Sequence, residues 1–271
     1  MHDDTFTYSA NISVMFTEHP LLDRPRAAAA AGFDDIEMWW PFEQPVVENA
    51  QLRELAAAIS QAGVALRGLN FYAGDMPGGE RGVASIPDRA AELRANTAAL
   101  LELAEATGCR SFNLLYGQRD ARFSQAEQDS AALASLQRAA TAVASIGGTV
   151  LLEPLAKGHN GDYPLTDPEQ VVDLLRGPLA HLPNVKLLFD LFHLGSNGFD
   201  IVGGVPGLIQ WIGHVQVADS PGRGEPGTGT LPIVASLDSL ANAGYEGLIA
   251  CEYRPTVRTE DSLTWIDGHA A

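Results

Sequence analysis

The feature that most constrains the fold of this chain is an alternation of short aliphatic segments with longer segments rich in Ala, Leu and Glu, which runs along the whole sequence. Such alternation is typical of α/β proteins with a parallel sheet. Eight segments are predicted to be strands: Tyr8–Phe16, Asp35–Trp40, Val64–Asn70, Ser111–Tyr116, Thr149–Leu155, Val185–Phe192, Ile212–Asp219 and Gly247–Tyr253. Eight βα units without a composition shift predict a closed (β/α)8 TIM barrel, forming a single domain over residues 1–271.

Helical segments separate the predicted strands. Apolar residues recur at helical spacing over Pro87–Thr107, and a second helix is predicted from about Gln125 to Ser145. Ser124 and Glu127 have the spacing of a capping box, which places the start of this second helix. No glycine-rich turn follows the first predicted strand, so an open dinucleotide-binding sheet is disfavoured.

The charge of the chain excludes some partners. The sequence has 34 acidic and 17 basic residues, a net charge of −17, and the basic residues are scattered, so a nucleic-acid partner is not expected. Cys109 and Cys251 do not form a disulfide framework, and the acidic N-terminus is unlike a signal peptide. The longest uncharged stretch, Ile201–Ala218, contains four Gly and a Pro, so no membrane span is predicted. A cytoplasmic protein is expected.

Polar residues with oxygen donors stand at or near the ends of the last four predicted strands. They are Glu153, Asp190, Gln216 and Glu252. Because parallel strands end at one edge of a barrel and side chains alternate between faces, these four side chains can converge. Three clustered carboxylates repel one another unless a cation lies between them, and all-oxygen ligation favours Mn²⁺ or Mg²⁺ over zinc. One divalent cation is therefore predicted; the alternative is that the carboxylates cap helices or pair with arginines.

Four further residues are predicted to contact substrate. His193 follows the sixth strand, and Arg223 lies in the glycine-rich loop after the seventh. A helix-capping or loop-packing role for His193 and an ion pair of Arg223 with Glu225 are the alternatives. Asn70, at the end of the third strand, and Lys157, in the loop after the fifth, complete this set.

Carboxylates at a metal, with a histidine and an arginine nearby, suit proton abstraction next to a carbonyl group. The cation would polarise the carbonyl, and Arg223 would bind a carboxylate or a developing enolate. Glu153 and Glu252 are the candidate bases that carry the proton between adjacent carbons. This is aldose–ketose isomerase chemistry.

Several motifs occur in an order that resembles the hydroxypyruvate isomerase family. They are residues 9–18 (SANISVMFTE), 73–75 (AGD), 79–82 (GERG), 213–219 (GHVQVAD), the Arg223–Gly229 loop and Gly247–Tyr253. The resemblance extends from about Phe6 to Trp265. It implies a xylose isomerase-like TIM barrel and interconversion of hydroxypyruvate with 2-hydroxy-3-oxopropanoate. It also implies that Glu153, Asp190, Gln216 and Glu252 bind the metal, that Glu153 and Glu252 transfer the proton, and that His193 and Arg223 contact substrate.

Two segments depart from the family pattern. Residues 155–160 (LAKGHN) replace the Ile-Asn expected after Glu-Pro, which places the substrate contacts there in question. Trp39 and Trp40 are bulkier than expected; they wall the pocket, meet a neighbouring subunit or belong to the core.

Other functions remain open at this point. A 2-oxo-tetronate isomerase shares almost all the motifs and acts on an acid one carbon longer, and a ketose 3-epimerase uses the same scaffold. Zinc-cluster endonucleases need many histidines, and Schiff-base aldolases need a lysine inside the barrel, which this sequence does not supply. A non-catalytic sugar-acid-binding barrel is a further alternative. The expected partner is a small hydroxy or oxo acid, and a homo-oligomer is left open.

Overall fold

The computed structural model describes residues 6–269, in which eight parallel strands form a closed barrel in sequential order. The strands are β1 (Tyr8–Asn11), β2 (Asp35–Met38), β3 (Ala65–Asn70), β4 (Ser111–Asn113), β5 (Thr149–Leu152), β6 (Val185–Asp190), β7 (Ile212–Val217) and β8 (Ile249–Cys251). β1 pairs with β8 as well as with β2, which closes the barrel. The predicted single-domain TIM barrel is confirmed.

Helices follow the strands and surround the barrel. They are α1 (Arg24–Ala30), α2 (Asn49–Ala62), α3 (Ala90–Thr107), α4 (Gln125–Ala144), α5 (Pro168–Arg176), α6 (Leu191–Ser196), α7 (Val205–Leu208), α8 (Ile233–Asn242) and α9 (Thr264–His269). The predicted capping box is present, since the Ser124 and Glu127 side chains each accept a hydrogen bond from the other residue's N–H. The predicted helix over Pro87–Thr107 begins with a short 3₁₀ turn before α3.

Several strands are shorter than the apolar pattern of the sequence predicts. β1 ends at Asn11, yet Ile12, Met15 and Phe16 beyond it are completely buried. Apolar residues continue past the strand because the following loop also packs into the core. A run of buried residues therefore does not distinguish a strand from a buried loop.

The register of the strands places polar side chains inside the barrel near its C-terminal edge. Asp190 of β6 pairs with Gln216 of β7, which pairs with Ala250 of β8. Glu153 and Glu252 come directly after β5 and β8. The strand-end residues singled out in the sequence thus lie at one edge of the barrel, where TIM-barrel active sites are built.

Across residues 6–269, no helix combines the length and the apolar character that a membrane span requires.

Candidate active site

A cavity of about 910 Å³ opens at the C-terminal edge of the barrel. Glu153, His193, Arg223 and Glu252 line it. Asp190 and Gln216 are buried in the adjoining strands. The structure therefore gathers the predicted strand-end residues in and beside one cavity.

Glu153 is buried, and one of its oxygens is already bound. Asn113 Nδ2 donates to Glu153 Oε2 over 2.6 Å, whereas Glu153 Oε1 has His193 Nε2 at 3.6 Å. Burial, and then the charges of Glu252 and Asp190, raise the pKa of Glu153 well above its ordinary value. One carboxylate oxygen thus faces the site beside two other acids.

Asp190 ends β6 and caps α6. Its Oδ1 accepts the N–H groups of Phe192 and His193, at 2.7 and 3.2 Å. Its Oδ2 lies 3.7 Å from His193 Nε2 and 3.9 Å from Arg223 Nη2. Burial raises the pKa of Asp190 to about 6, although Arg223 and the two N–H groups oppose this shift. The helix-capping alternative is correct for one oxygen, while the second remains available.

The His193 ring holds the loop after β5 in place. Its Nδ1 accepts the N–H of Ala156 over 2.9 Å. Burial lowers the pKa of His193 well below its ordinary value, helped by the charges of Arg223 and Arg81, so the ring is neutral. A neutral ring whose Nδ1 accepts a hydrogen bond carries its proton on Nε2, a tautomer assigned from the hydrogen bond.

This tautomer decides what His193 can do in the cluster that it forms with Glu153 and Asp190. Donor atoms of these three residues lie within 4.8 Å of one another, a spacing that could hold a metal ion. A protonated Nε2 has no free electron pair for a metal, and it is a hydrogen-bond donor instead. The geometry therefore favours His193 as a contact to a substrate oxygen, and the loop-packing alternative is also correct for its Nδ1.

Glu252 is held by hydrogen bonds from three side chains. Asn11 Nδ2 and Trp39 Nε1 donate to Glu252 Oε1 at 2.9 and 2.6 Å, and Arg223 Nη2 forms an ion pair with Glu252 Oε2. Burial raises the pKa of Glu252 to about 7, against the opposing charge of Arg223. Glu252 is thus balanced between its protonated and ionised forms near neutral pH.

Arg223 reaches Glu252 from a constrained loop. Its backbone has φ of 58°, in the left-handed region that costs a non-glycine residue about 1–3 kcal/mol and that clusters at functional sites. Glu225 accepts hydrogen bonds from the N–H and hydroxyl of Thr256, at 2.9 and 2.5 Å. The alternative in which Arg223 pairs with Glu225 is therefore wrong.

Asp219 organises this loop. Its two carboxylate oxygens accept four backbone N–H groups, from Ser220, Gly227, Gly229 and Leu231, at 2.8–3.0 Å. These bonds fix the loop around Arg223.

Glu37 is a buried site residue that the sequence reasoning missed. His214 Nε2 lies 2.7 Å from Glu37 Oε2, and Asn11 Nδ2 and Gln216 Nε2 donate to Glu37 Oε1. Burial alone would raise the pKa of Glu37, but His214 and these donors hold it below its ordinary value. Gly68 allows this arrangement, because a Cβ there would lie 2.9 Å from Glu37 Oε2. One feature of the sequence could have identified Glu37 as a site residue: it is an acidic residue inside the short, apolar second predicted strand.

The donor set fits a hard divalent cation. Glu37 fixes the Gln216 amide through Nε2, and Gln216 Oε1 is buried without a hydrogen-bond partner among the described residues. Glu153 Oε1 and Asp190 Oδ2 likewise have no partner within hydrogen-bond distance in that part of the chain. Oxygen donors of this kind suit Mg²⁺ or Mn²⁺. Both oxygens of Glu252 already contact other side chains, so a cation would have to share one of them with Asn11 and Trp39 or with Arg223.

The remaining predicted residues differ in their positions. Asn70 is buried and lines the cavity. Trp39 and Trp40 also line it, as the pocket-wall interpretation predicts, while Trp40 belongs to the hydrophobic core and Trp39 packs against that core. Lys157 is exposed and does not line the cavity; its backbone N–H donates to Asn197 Oδ1. The fold therefore does not bring Lys157 to this site.

Residues 25–269 match the family described as xylose isomerase-like TIM barrel, and the chain belongs to this family. A Streptomyces coelicolor protein named "Putative hydroxypyruvate isomerase" is 44% identical over 268 residues, covering 97% of this chain and 96% of the relative. A 2-oxo-tetronate isomerase of Cupriavidus necator is 33% identical, with 96% of each chain covered. The crystal structure of a Brucella melitensis protein named AP endonuclease, family 2, is 30% identical, with a TM-score of 0.88 and coverage of 97% and 98%.

The two sequence relatives are both named as isomerases, and the chain is an isomerase of this family. The resemblance found in the sequence motifs is thereby confirmed.

Proposed function

We propose that this isomerase interconverts hydroxypyruvate and 2-hydroxy-3-oxopropanoate (tartronate semialdehyde) through an enediolate. The observation that carries the proposal is the pair of buried carboxylates, Glu153 and Glu252, which line one cavity and whose charges interact. The name of the S. coelicolor relative supports the substrate.

The reaction moves hydrogen without adding or removing atoms. A proton leaves C3 of hydroxypyruvate and one is added to C2, while O3 loses its hydroxyl proton and O2 gains one. Glu153 and Glu252 carry the carbon-bound proton, since a carboxylate can accept a proton from one carbon and release it to the next. His193 Nε2 donates to the oxygen on which negative charge develops.

The proposal includes one divalent cation, Mn²⁺ or Mg²⁺, held by Glu153, Asp190, Gln216 and Glu252. When bound, such a cation polarises the substrate carbonyl and stabilises negative charge on its oxygen. Glu37 accepts a hydrogen bond from Gln216 Nε2 and leaves Gln216 Oε1 available as a ligand. A cytoplasmic location, favoured by the unpaired Cys109 and Cys251, belongs to the same proposal.

We expect the purified protein, supplied with Mn²⁺, to convert hydroxypyruvate to tartronate semialdehyde, detected with a coupled reductase. In D₂O, deuterium should enter the carbon-bound positions of the substrate, because a carboxylate base exchanges protons with solvent. Binding without such exchange would support the non-catalytic barrel and contradict the proposal.

A second substrate is favoured by the C. necator relative, which is named 2-oxo-tetronate isomerase. Steady-state kinetics with 2-oxo-tetronate and with hydroxypyruvate distinguishes the two candidate substrates, because the preferred substrate has the larger kcat/KM. The endonuclease activity in the name of the B. melitensis protein has no comparable support here, because a net charge of −17 opposes binding to a phosphate backbone.

Replacing Glu37 by Gln tests how the amide of Gln216 is held. We expect the variant E37Q to bind Mn²⁺ about 10–100 times more weakly, since residues that orient metal ligands typically contribute this much. Titration followed by the electron paramagnetic resonance signal of free Mn²⁺ measures this. The matched control is E105Q, because Glu105 is exposed on α3 and does not line the cavity. Unchanged affinity in E37Q would show that Gln216 needs no such support.

A further inference from the structure

Besides Arg223, the cavity is lined by Arg24, Arg81 and Arg254, which the proposed proton transfer does not use. Arg24 donates to the carbonyls of His19 and Ile12 and interacts with the charge of Glu18, which leaves Arg81 and Arg254. Arg223 is already paired with Glu252, so binding a substrate carboxylate would compete with that contact. A guanidinium that has no acidic partner is therefore better placed than Arg223 to bind the carboxylate of an acidic substrate.

Arg81 is fixed in place entirely by neutral oxygens. Its Nε donates to Asn160 Oδ1 at 3.0 Å, and its Nη1 donates to the carbonyls of Met76 and Glu80 at 3.0 and 2.7 Å. The neighbouring Glu80 carboxylate binds Arg89 and the N–H of Asp75 instead. Among residues 6–269, no carboxylate lies within ion-pair distance of Arg81, and its Nη2 has no hydrogen-bond partner.

Arg254 brings a second uncompensated charge to the same cavity. It comes two residues after Glu252, and its backbone N–H donates to the Arg223 carbonyl over 2.7 Å. Its side chain is exposed and forms no ion pair within the described part of the chain. Burial lowers the pKa of Arg81, and the charges of Arg223 and Arg254 lower it further, as expected for cations that share one space.

Arg81 lines the same cavity as His193 and the buried acids Glu153 and Glu252. In a chain of net charge −17, cations left without acidic partners beside a cluster of acids indicate a place for an anion. A guanidinium held by three bonds is also preorganised to bind a carboxylate.

We propose that Arg81 and Arg254 bind the carboxylate of the substrate and thereby select oxo acids over neutral sugars of the same length. This inference rests on the proposed function, because it assumes that the substrate is an α-oxo acid. Asn160, which holds Arg81, lies in the segment that departs from the family pattern after Glu153.

The test compares acid and neutral ligands in R81Q and R254Q. The probes are hydroxypyruvate and 1,3-dihydroxyacetone, in which a neutral CH₂OH group replaces the carboxylate while the proton transfer stays the same. We expect each variant to raise the KM for hydroxypyruvate about ten- to a hundredfold, the usual loss for a charge-assisted hydrogen bond, with kcat within about threefold. Turnover of dihydroxyacetone should be unaffected, and R81K should recover only part of the loss.

A binding measurement separates this inference from the proposed function. The dissociation constant of pyruvate, measured by NMR titration of the purified protein, should rise by the same factor in both variants. The control R53Q removes one charge from the exposed face of α2 and should change neither constant. R254Q also guards against loop damage, because within residues 6–269 the Arg254 side chain forms no hydrogen bond, whereas Arg81 donates to Asn160 and to the carbonyls of Met76 and Glu80.

Each result has one meaning. If pyruvate binding weakens in the variants while the wild-type protein does not isomerise hydroxypyruvate, the carboxylate subsite stands and the proposed function fails. If hydroxypyruvate is isomerised and neither KM nor pyruvate affinity changes in the variants, the subsite is wrong and the function stands. Equal losses on acid and neutral ligands would also overturn the subsite.

Discussion

The variants E153Q and E252Q are each expected to lose isomerase turnover by about 10²–10⁴-fold, because an amide cannot accept the carbon-bound proton. Both carboxylates line the cavity, and burial raises the pKa of each above its ordinary value. Steady-state kinetics with hydroxypyruvate measures the loss. Incorporation of deuterium from D₂O should fall in parallel, since the same groups exchange protons with solvent.

The two variants should still fold, because a Gln side chain keeps the shape of each Glu and removes a charge that burial disfavours. The control E105Q makes the same chemical change on the exposed surface of α3 and should keep full turnover. Wild-type rates in either site variant would remove that residue from the proton transfer. Loss of turnover with undiminished deuterium exchange would assign the residue to a binding role.

Removal of the divalent cation is expected to abolish turnover and to make the stability of the protein depend on pH. In the metal-free protein, burial raises the pKa of Asp190 to about 6 and of Glu252 to about 7, and raises that of Glu153 well above its ordinary value. Carboxyl groups have pKa values near 4 in the unfolded state. Between about pH 4 and pH 7, the folded state therefore binds more protons than the unfolded state. Stability is then fully present below about pH 4 and is lost as the pH rises toward 7.

Thermal unfolding of the EDTA-treated protein at pH 5 and pH 8 measures this effect. We expect the free energy of unfolding to be lower by on the order of a few kcal/mol at the higher pH. Mn²⁺ or Mg²⁺ should reverse this loss, because a bound cation removes the repulsion between the ionised carboxylates. In E153Q, the dependence on pH should weaken, because one of the interacting acids is gone. Full turnover after verified removal of the metal would exclude the cation from the reaction.

The barrel and the strand-end acids could be predicted because they follow from local patterns. Buried strands read as apolar runs, and Asp190 and Gln216 stand where such runs end, at the edge where parallel strands converge. Strand ends were less predictable, since residues such as Met15 are buried in a loop as completely as in a strand.

Glu37 and Arg81 could not be assigned from the sequence, because their roles depend on distant partners. Glu37 joins Asn11, His214 and Gln216, which only the closure of the barrel brings together. Arg81 depends on oxygens of its own loop and on Asn160, 79 residues away. The pairing of Arg223 with Glu252 is of the same kind, since a nearer acid, Glu225, is the more obvious partner in the sequence.

A single peptide N–H determines the chemistry of the ring at position 193. The N–H of Ala156 occupies Nδ1 and therefore leaves the proton on Nε2, where it faces Glu153 and Asp190. A loop rebuilt without that N–H, for example with proline at 156, would free Nδ1 to carry the proton. Nε2 would then present an electron pair to the same cluster, so the ring would change from a hydrogen-bond donor into a metal ligand without any substitution of the histidine itself.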